Sequence, residues 1–214
     1  MQKPQVGIIY LDQIDESFFN DFHSEVSHSR LTLNIEARSE PGPFASIEWL
    51  IPTAIIAFIG KPYFEEFLKE MGKDHYRLLK SALIKLTKKS INQPRLEPVI
   101  MGTPGKTQQK NPYTMAFSIL AEGRSGYTFK LLLPKNPKNF VYEEAIGKFM
   151  DFISDYHLSD EASKASKEIA KSEIPRGIIL VHLSPETNEI EWLDHIPAEV
   201  RARMRGQQEG VSDS

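Results

Sequence analysis

Apolar residues recur along the chain with two spacings, one typical of strands and one typical of helices. A β-rich run predicts a first strand over residues 5–12, and alternation of apolar and polar residues predicts a half-buried strand over 31–38. A short strand is predicted within 95–102, and because of Pro98 it either lies at a sheet edge or begins at Val99. Four more β-rich runs flank polar turns and predict two hairpins, 113–121 with 127–133 and 178–183 with 188–194.

Three stretches carry apolar residues at steps of three and four, which predicts amphipathic helices. The clearest lies within 73–90, where Leu79, Leu83 and Leu86 share one face and lysines dominate the other. The other two predicted helices are 16–27 and 142–156.

The least polar stretch, IEWLIPTAIIAFIGKPYFEEF, begins at Ile47 and raises the question of membrane contact. Its uncharged part from Trp49 to Gly60 is twelve residues long, whereas a membrane-spanning helix needs about 20. We therefore predict a short buried helix there, followed by a second helix that begins near Pro62 and ends at Gly72. A membrane-dipping hairpin and an exposed apolar patch for self-association are the alternatives.

Strands and helices are mixed without a strict strand–helix–strand rhythm, which favours an α+β fold. The predicted architecture is a mixed, largely antiparallel sheet covered by amphipathic and buried helices. We predict one domain over residues 1–206 and a disordered C-terminal tail over 207–214.

The composition excludes several kinds of chemistry. The chain of 214 residues has no cysteine, which excludes disulfides, thiolate metal sites, iron–sulfur clusters and cysteine nucleophiles. A net charge of -3 gives no general signature of nucleic-acid binding. The N-terminus lacks the features of an export signal, so we expect a cytoplasmic protein, and no cofactor is predicted.

The segment GTPGKT, residues 102–107, is similar to a phosphate-binding loop but departs from that pattern in two ways. Ile100 stands where the first glycine is required, and Pro112 follows too soon for a helix whose N-terminus could hold phosphate. We therefore predict a polar surface loop and no nucleotide site.

Histidines provide the best candidates for catalysis. His182 and Ser184 form a His-x-Ser unit on a predicted strand, and two-histidine phosphoesterases carry that unit twice. A second copy is missing here, so a phosphoesterase or other small hydrolase using His182 and Ser184 is an alternative hypothesis. His23 and His28 lack the spacing of a metal-binding helix, and no metal site is predicted.

Binding to another protein is the function that the sequence favours most. Our first hypothesis is a non-catalytic interaction or regulatory module that binds a protein partner or a second copy of itself. Membrane-surface association through residues 47–89 is a further alternative. Nucleic-acid binding is not predicted, because aromatic residues are not interleaved with the lysines. The candidate binding residues are Trp49, Phe58, Tyr63, Phe64, Lys73, Arg77 and Lys80.

Overall fold

The computed structural model describes residues 4–39, 53–97, 112–124, 126–135, 142–158 and 177–193. All seven strands in these ranges form one sheet, in the order β2-β1-β3-β4-β5-β6-β7. The strands are β1 (Val6–Leu11), β2 (Leu33–Arg38), β3 (Ile55–Ile59), β4 (Phe117–Glu122), β5 (Thr128–Leu131), β6 (Ile178–Leu183) and β7 (Ile190–Leu193). The α-helices are α1 (Asn20–Val26), α2 (Leu68–Met71), α3 (Lys73–Ile91) and α4 (Tyr142–Leu158).

Parallel and antiparallel pairs alternate across the sheet. The pairs β1/β2, β3/β4 and β5/β6 are parallel, and a helix lies between the two strands of each pair in the chain. The pairs β1/β3, β4/β5 and β6/β7 are antiparallel. The predicted α+β fold with a mixed sheet is therefore confirmed. The described strand pairs are divided evenly between parallel and antiparallel, because three strand–helix–strand units are joined side by side.

One face of the sheet and the helices enclose the hydrophobic core. Alternate strand residues such as Ile8, Ile55, Ile119, Phe129 and Val181 point to this face and are almost completely buried. Burial of each such side chain stabilises the fold by about 1.5 to 3 kcal/mol. The helices contribute mainly from α3 and α4, with Leu79, Leu83, Ile146, Phe149 and Ile153.

The helices begin and end where local chemistry requires it. Asp15 caps a 3₁₀ turn, Glu16–Phe19, that leads into α1, and its carboxylate accepts a hydrogen bond from the Ser17 amide at 2.9 Å. Before α2 the chain forms a π-helical segment, Tyr63–Phe67. Gly72, with a φ of 73°, then separates α2 from α3, because a left-handed residue ends a helix.

The apolar stretch near residue 55 forms a strand, so the predicted buried helix there is wrong. Ile55–Ile59 is β3, which pairs with β1 on one side and β4 on the other. A strand buried on both faces shows no alternation of apolar and polar residues, and this makes it look like a buried helix segment. The helix predicted to follow is confirmed: its π-helical and α-helical parts end at Gly72.

The predicted strand within 95–102 is wrong in its described part, because Pro94–Leu96 forms a 3₁₀ turn that follows the end of α3. The alternative start at Val99 lies outside the described residues. The remaining strands and the three amphipathic helices are confirmed, if the 3₁₀ turn before α1 is counted with that helix. Their ends lie within two residues of the prediction, except that β4 begins at Phe117, four residues after the predicted start at residue 113. Several predictions lie outside the described residues: Trp49, the loop 102–107 and the C-terminal tail.

In the described part of the chain, no helix has both the length and the apolar character that crossing a membrane requires.

Candidate functional site

His182 lies on β6, on the sheet face that points away from the helices. It stands opposite Glu191 of β7, and its Nδ1 is 3.1 Å from the hydroxyl oxygen of Tyr113. Partial burial lowers the pKa of His182, and the negative charge of Glu191 opposes this shift. The histidine is therefore held by a tyrosine and faces one carboxylate.

Ser184, the predicted partner of His182, belongs to the turn between β6 and β7. Its amide donates a hydrogen bond to the Glu189 carbonyl at 2.9 Å, and its hydroxyl accepts a weak one from the Thr187 amide at 3.4 Å. Among the described residues, we find no hydrogen bond between Ser184 and His182. The serine is buried and shapes the turn.

Two cations occupy the same sheet face as His182. Lys130 of β5 is 6% exposed, and burial together with the positive charge of Arg38 lowers its pKa to about 8. Arg38 of β2 donates a hydrogen bond to the Thr53 carbonyl at 2.6 Å. The Thr53 hydroxyl is in turn 2.6 Å from that of Ser118 on β4. This face is thus polar as well as buried around β4.

A groove of about 660 Å³ lies between the N-terminal half of α3 and the C-terminal half of α4. We call it the α3–α4 groove. Apolar side chains of Phe64, Leu68 and Leu158 line it, and Leu158 is 68% exposed. A single exposed apolar side chain is ordinary on a flat surface, but Leu158 adds apolar surface to the edge of a groove, and apolar grooves are typical binding sites.

The groove brings together four of the predicted binding residues. Phe64, Lys73, Arg77 and Lys80 all line it. Lys80 forms an ion pair with Asp151 of α4 at 3.3 Å and so connects the two helices. The sequence thus placed these three cations correctly on one helix face, but it did not reveal the helix opposite.

The cations of the groove differ in how far their charge is neutralised. Arg77 is 3.4 Å from Asp74, and both side chains are largely exposed, so this pair is weak. Lys73 and Lys69 make no ion pair with any other residue that the structure describes. The α3 side of the groove therefore presents positive charge to solvent.

Aromatic packing below the groove fixes its position. The ring of Phe64 stacks on that of His157, with centroids 4.9 Å apart and planes 7° from parallel. His157 Nε2 lies 2.8 Å from the Glu122 carbonyl, and its Nδ1 is 3.6 Å from Glu65. Burial lowers the pKa of His157 despite these interactions and the nearby carboxylate.

A second buried histidine ties α3 to its neighbours. His75 Nε2 is 3.0 Å from the Val26 carbonyl at the end of α1, and Nδ1 is 3.2 Å from the Tyr63 hydroxyl. Burial lowers the pKa of His75 and raises that of Tyr63. Tyr63 is therefore a core residue with no exposed surface to offer a partner.

The other predicted binding residues are dispersed. Phe58 is on β3, half-buried on the sheet face away from the helices, and Trp49 lies outside the described residues. Because Tyr63 and Phe64 pack inside the protein, the described residues from 53 to 64 form no continuous apolar patch on the surface.

The basic face of α3 is mostly neutralised beyond the groove. Lys85 pairs with Glu25 at 2.8 Å, and Lys88 pairs with Glu143 of α4. Lys89 lies 3.7 Å from Asp21, whose side chain is largely exposed, so this third pair is weak. The pairs made by Lys85 and Lys88 leave little uncompensated charge on this part of the helix for a phosphate backbone or a lipid surface.

A second cavity, of about 730 Å³, lies where β1 ends, and we call it the β1 cleft. Leu11, Ile14 and Ala54 provide buried apolar surface, and Phe18 and Leu96 extend it. Its polar residues come from the segment after β1, from the last turn of α3 and from the segment after α3: Gln13, Asp15, Ser17, Lys89, Gln93, Arg95 and Glu97.

Glu97 holds one wall of the β1 cleft in place. Its carboxylate accepts hydrogen bonds from the Thr114 hydroxyl at 2.6 Å and from the Met115 amide at 3.1 Å. Lys135 lies 2.8 Å from it and neutralises its charge. The chain after α3 is thereby attached to the start of β4.

His23 and His28, for which the sequence predicts no metal site, make separate local contacts. His23 is 3.4 Å from the Ser27 hydroxyl, while His28 accepts a hydrogen bond from the Arg30 amide at 3.2 Å. Within the described ranges, no three histidine, aspartate or glutamate side chains are placed to share a metal ion.

No protein-family model matches the chain, and no curated protein or solved structure is significantly similar to it. Evidence on function therefore comes from the two cavities. The sequence did not point to the β1 cleft, because its residues come from three distant segments. The polar run DQIDES directly after a strand was the available signal, since ligands often bind where strands of such sheets end.

Proposed function

We propose that this protein is a non-catalytic interaction module that binds an acidic, amphipathic helix of a partner protein in the α3–α4 groove. The exposed Leu158 at the edge of a groove with positive charge on one side is the observation that carries this proposal. Grooves between two helices commonly receive the apolar face of a third.

The charges of the groove determine the chemistry of the partner. On the α4 side, Asp155 also lines the groove, and Asp151 is engaged by the Tyr76 hydroxyl at 2.6 Å and by Lys80. On the other side, Lys69 and Lys73 make no ion pair in the described part of the chain. Acidic side chains on the partner would meet these two lysines and the weakly paired Arg77. Opposite charges across an interface increase both the association rate and the specificity.

The hydrolase and membrane-surface hypotheses have less support in the structure than peptide binding in the α3–α4 groove. His182 lines neither the α3–α4 groove nor the β1 cleft, and its nearest described partners are Tyr113 and Glu191. Outside the groove, Lys85 and Lys88 of the basic face that suggested a membrane surface are paired with acids. The groove combines apolar surface and uncompensated charge in one place.

Fluorescence anisotropy with two labelled model peptides tests the proposal. Both peptides form amphipathic helices with the same leucine face, but one carries glutamates and the other lysines on its polar face. We expect the acidic peptide to bind at least about tenfold more tightly, and the difference to shrink as salt is added.

Matched variants locate the binding site. Leu158→Ser and the double variant Lys69→Gln, Lys73→Gln should each weaken acidic-peptide binding, whereas Lys85→Gln on the other flank of α3 should not. Equal binding of both peptides, or full binding by Leu158→Ser, would exclude the proposal. A dimer in light scattering that Leu158→Ser dissociates would instead identify a second copy as the occupant.

A further inference from the structure

The β1 cleft has the size and lining of a small-molecule site. Its volume of about 730 Å³ falls in the range that binds drug-sized ligands. Leu11, Ile14 and Ala54 are each less than a tenth exposed, so a ligand there contacts atoms that hardly move. Polar groups surround this apolar surface, and such groups orient a bound molecule.

The strand pairing determines where the β1 cleft lies. β1 and β3 are adjacent and antiparallel, with Tyr10 opposite Ile55, so the C-terminal end of β1 lies beside the N-terminal end of β3. Leu11 and Ile14, at and after the end of β1, therefore line the cleft together with Ala54, which precedes β3.

The two acids of the β1 cleft differ in whether a counterion compensates their charge. Glu97 has Lys135 as its counterion at 2.8 Å. Asp15 accepts the Ser17 amide, and hydrogen bonds from Ser17 lower the pKa of Asp15, so it is ionised. Its negative charge therefore counts in the balance.

The two cations of the cleft retain binding capacity. Lys89 donates to the Phe18 carbonyl at 2.7 Å and lies 4.4 Å from the centroid of the Phe18 ring, while its nearest acid, Asp21, is 3.7 Å away and largely exposed. Arg95 is exposed, and its guanidinium has no hydrogen bond or ion pair with the residues that the structure describes.

The charge balance of the cleft is consequently positive. Lys89 and Arg95 face the single uncompensated acid Asp15, because Lys135 cancels Glu97. Guanidinium groups bind carboxylates and phosphates through paired hydrogen bonds. We propose that the β1 cleft binds a small organic anion, whose apolar body packs on Leu11, Ile14 and Ala54 and whose carboxylate or phosphate is bound by Arg95.

The fluorescent anion 1-anilinonaphthalene-8-sulfonate serves as the probe, with the uncharged N-phenyl-1-naphthylamine as its matched control. We expect the anion to bind more tightly than the neutral amine and to weaken with added salt. Shifts in two-dimensional amide NMR spectra should centre on Ile14, Ser17, Ala54 and Gln93.

Paired charge variants test the role of the cations. Arg95→Gln should weaken binding of the anionic probe by roughly tenfold, as expected when a charge-assisted contact is lost. Asp15→Asn should strengthen it, because asparagine still caps the 3₁₀ turn but no longer repels an anion. Gln93→Trp at the rim should block binding without altering the core, since Gln93 is exposed.

The Leu158→Ser variant distinguishes binding in the two cavities, since it should leave binding of the anionic probe in the β1 cleft unchanged. Amide shifts confined to the α3–α4 groove, or equal probe affinity for the wild type and Arg95→Gln, would overturn this proposal. Either result leaves the peptide experiment on the groove unaffected, so the two proposals fail independently.

Discussion

The α3–α4 groove and the β1 cleft flank opposite ends of the same helix but are held together in different ways. The groove lies between two helix surfaces connected by side-chain contacts such as Lys80 with Asp151. In the β1 cleft, Glu97 and Asp15 accept hydrogen bonds from the backbone amides of Met115 and Ser17. One site depends on mobile surface side chains, and the other depends on fixed backbone.

This difference indicates the kind of ligand that each site suits. Long side chains such as Lys69 and Lys73 can adjust to a partner helix, and their ordering costs conformational entropy on binding. A cleft with a fixed backbone costs less to order, which favours a small molecule that makes few contacts. The comparison also predicts how each region responds to mutation and to acid.

Removal of the Glu97 carboxylate should have the largest effect. In Glu97→Ala the buried Met115 amide and the Thr114 hydroxyl lose their acceptor, and an unsatisfied buried donor costs about 1 to 3 kcal/mol. We expect urea denaturation to show a free energy of unfolding lower by about 2 kcal/mol.

Glu97→Gln keeps an acceptor oxygen and should lose less stability. Binding of the acidic peptide to the α3–α4 groove should persist in both variants. A Glu97→Ala protein as stable as the wild type would show that the cleft is not held in the way we describe.

Lowering the pH should destabilise the part of the protein that surrounds the α3–α4 groove. Burial lowers the pKa of His75 and His157, while the same residues in the unfolded chain titrate near 6.5. As pH falls below about 6.5, the unfolded state binds more protons, so the free energy of unfolding decreases. The loss is at most about 2 kcal/mol per histidine at pH 5, and His182 adds to it in the same direction.

Hydrogen exchange at decreasing pH tests where this loss occurs. Amides of α2 and the C-terminal half of α4 should lose protection before the amide of Met115 does. His157→Gln should reduce the slope of stability against pH, whereas His23→Gln on the exposed side of α1 should leave it unchanged. Stability that is constant from pH 7 to 5 would contradict the prediction.

Loss of one hydrogen bond between the helices should have the smallest effect. The Tyr76 hydroxyl donates to Asp151 at 2.6 Å at the surface, and Tyr76→Phe removes only this contact. We expect a decrease of about 1 kcal/mol in the free energy of unfolding, measured by thermal denaturation. A decrease as large as that of Glu97→Ala would mean that the groove is as rigidly held as the cleft.

Sequence patterns predicted the amphipathic elements well because one of their faces meets water. In α3, Leu79 and Leu83 recur on the buried side and Lys73 and Lys80 on the other, so the helix and part of the groove were visible. The strand Ile55–Ile59 is buried on both faces and lacks this contrast, which explains why it was mistaken for a helix.

Lys130 shows a different limit of the sequence. In the run YTFKLLL the lysine alternates with apolar residues, which indicates an exposed side chain, yet Lys130 is buried on the second face of the sheet. The pattern shows which residues share a face but not whether that face is covered. The β1 cleft escaped prediction for a related reason, since only the tertiary fold brings Asp15 to Arg95.

The order of the strands also bears on how the chain acquires its structure during synthesis on the ribosome. After β1 has gained β2 and then β3 on its two sides, each later strand joins the one made just before it. The sheet thus extends at a single growing edge in the order of translation, so no strand waits long for a neighbour. Each strand after β2 therefore finds its neighbour already made, which leaves little unpaired edge open to aggregation.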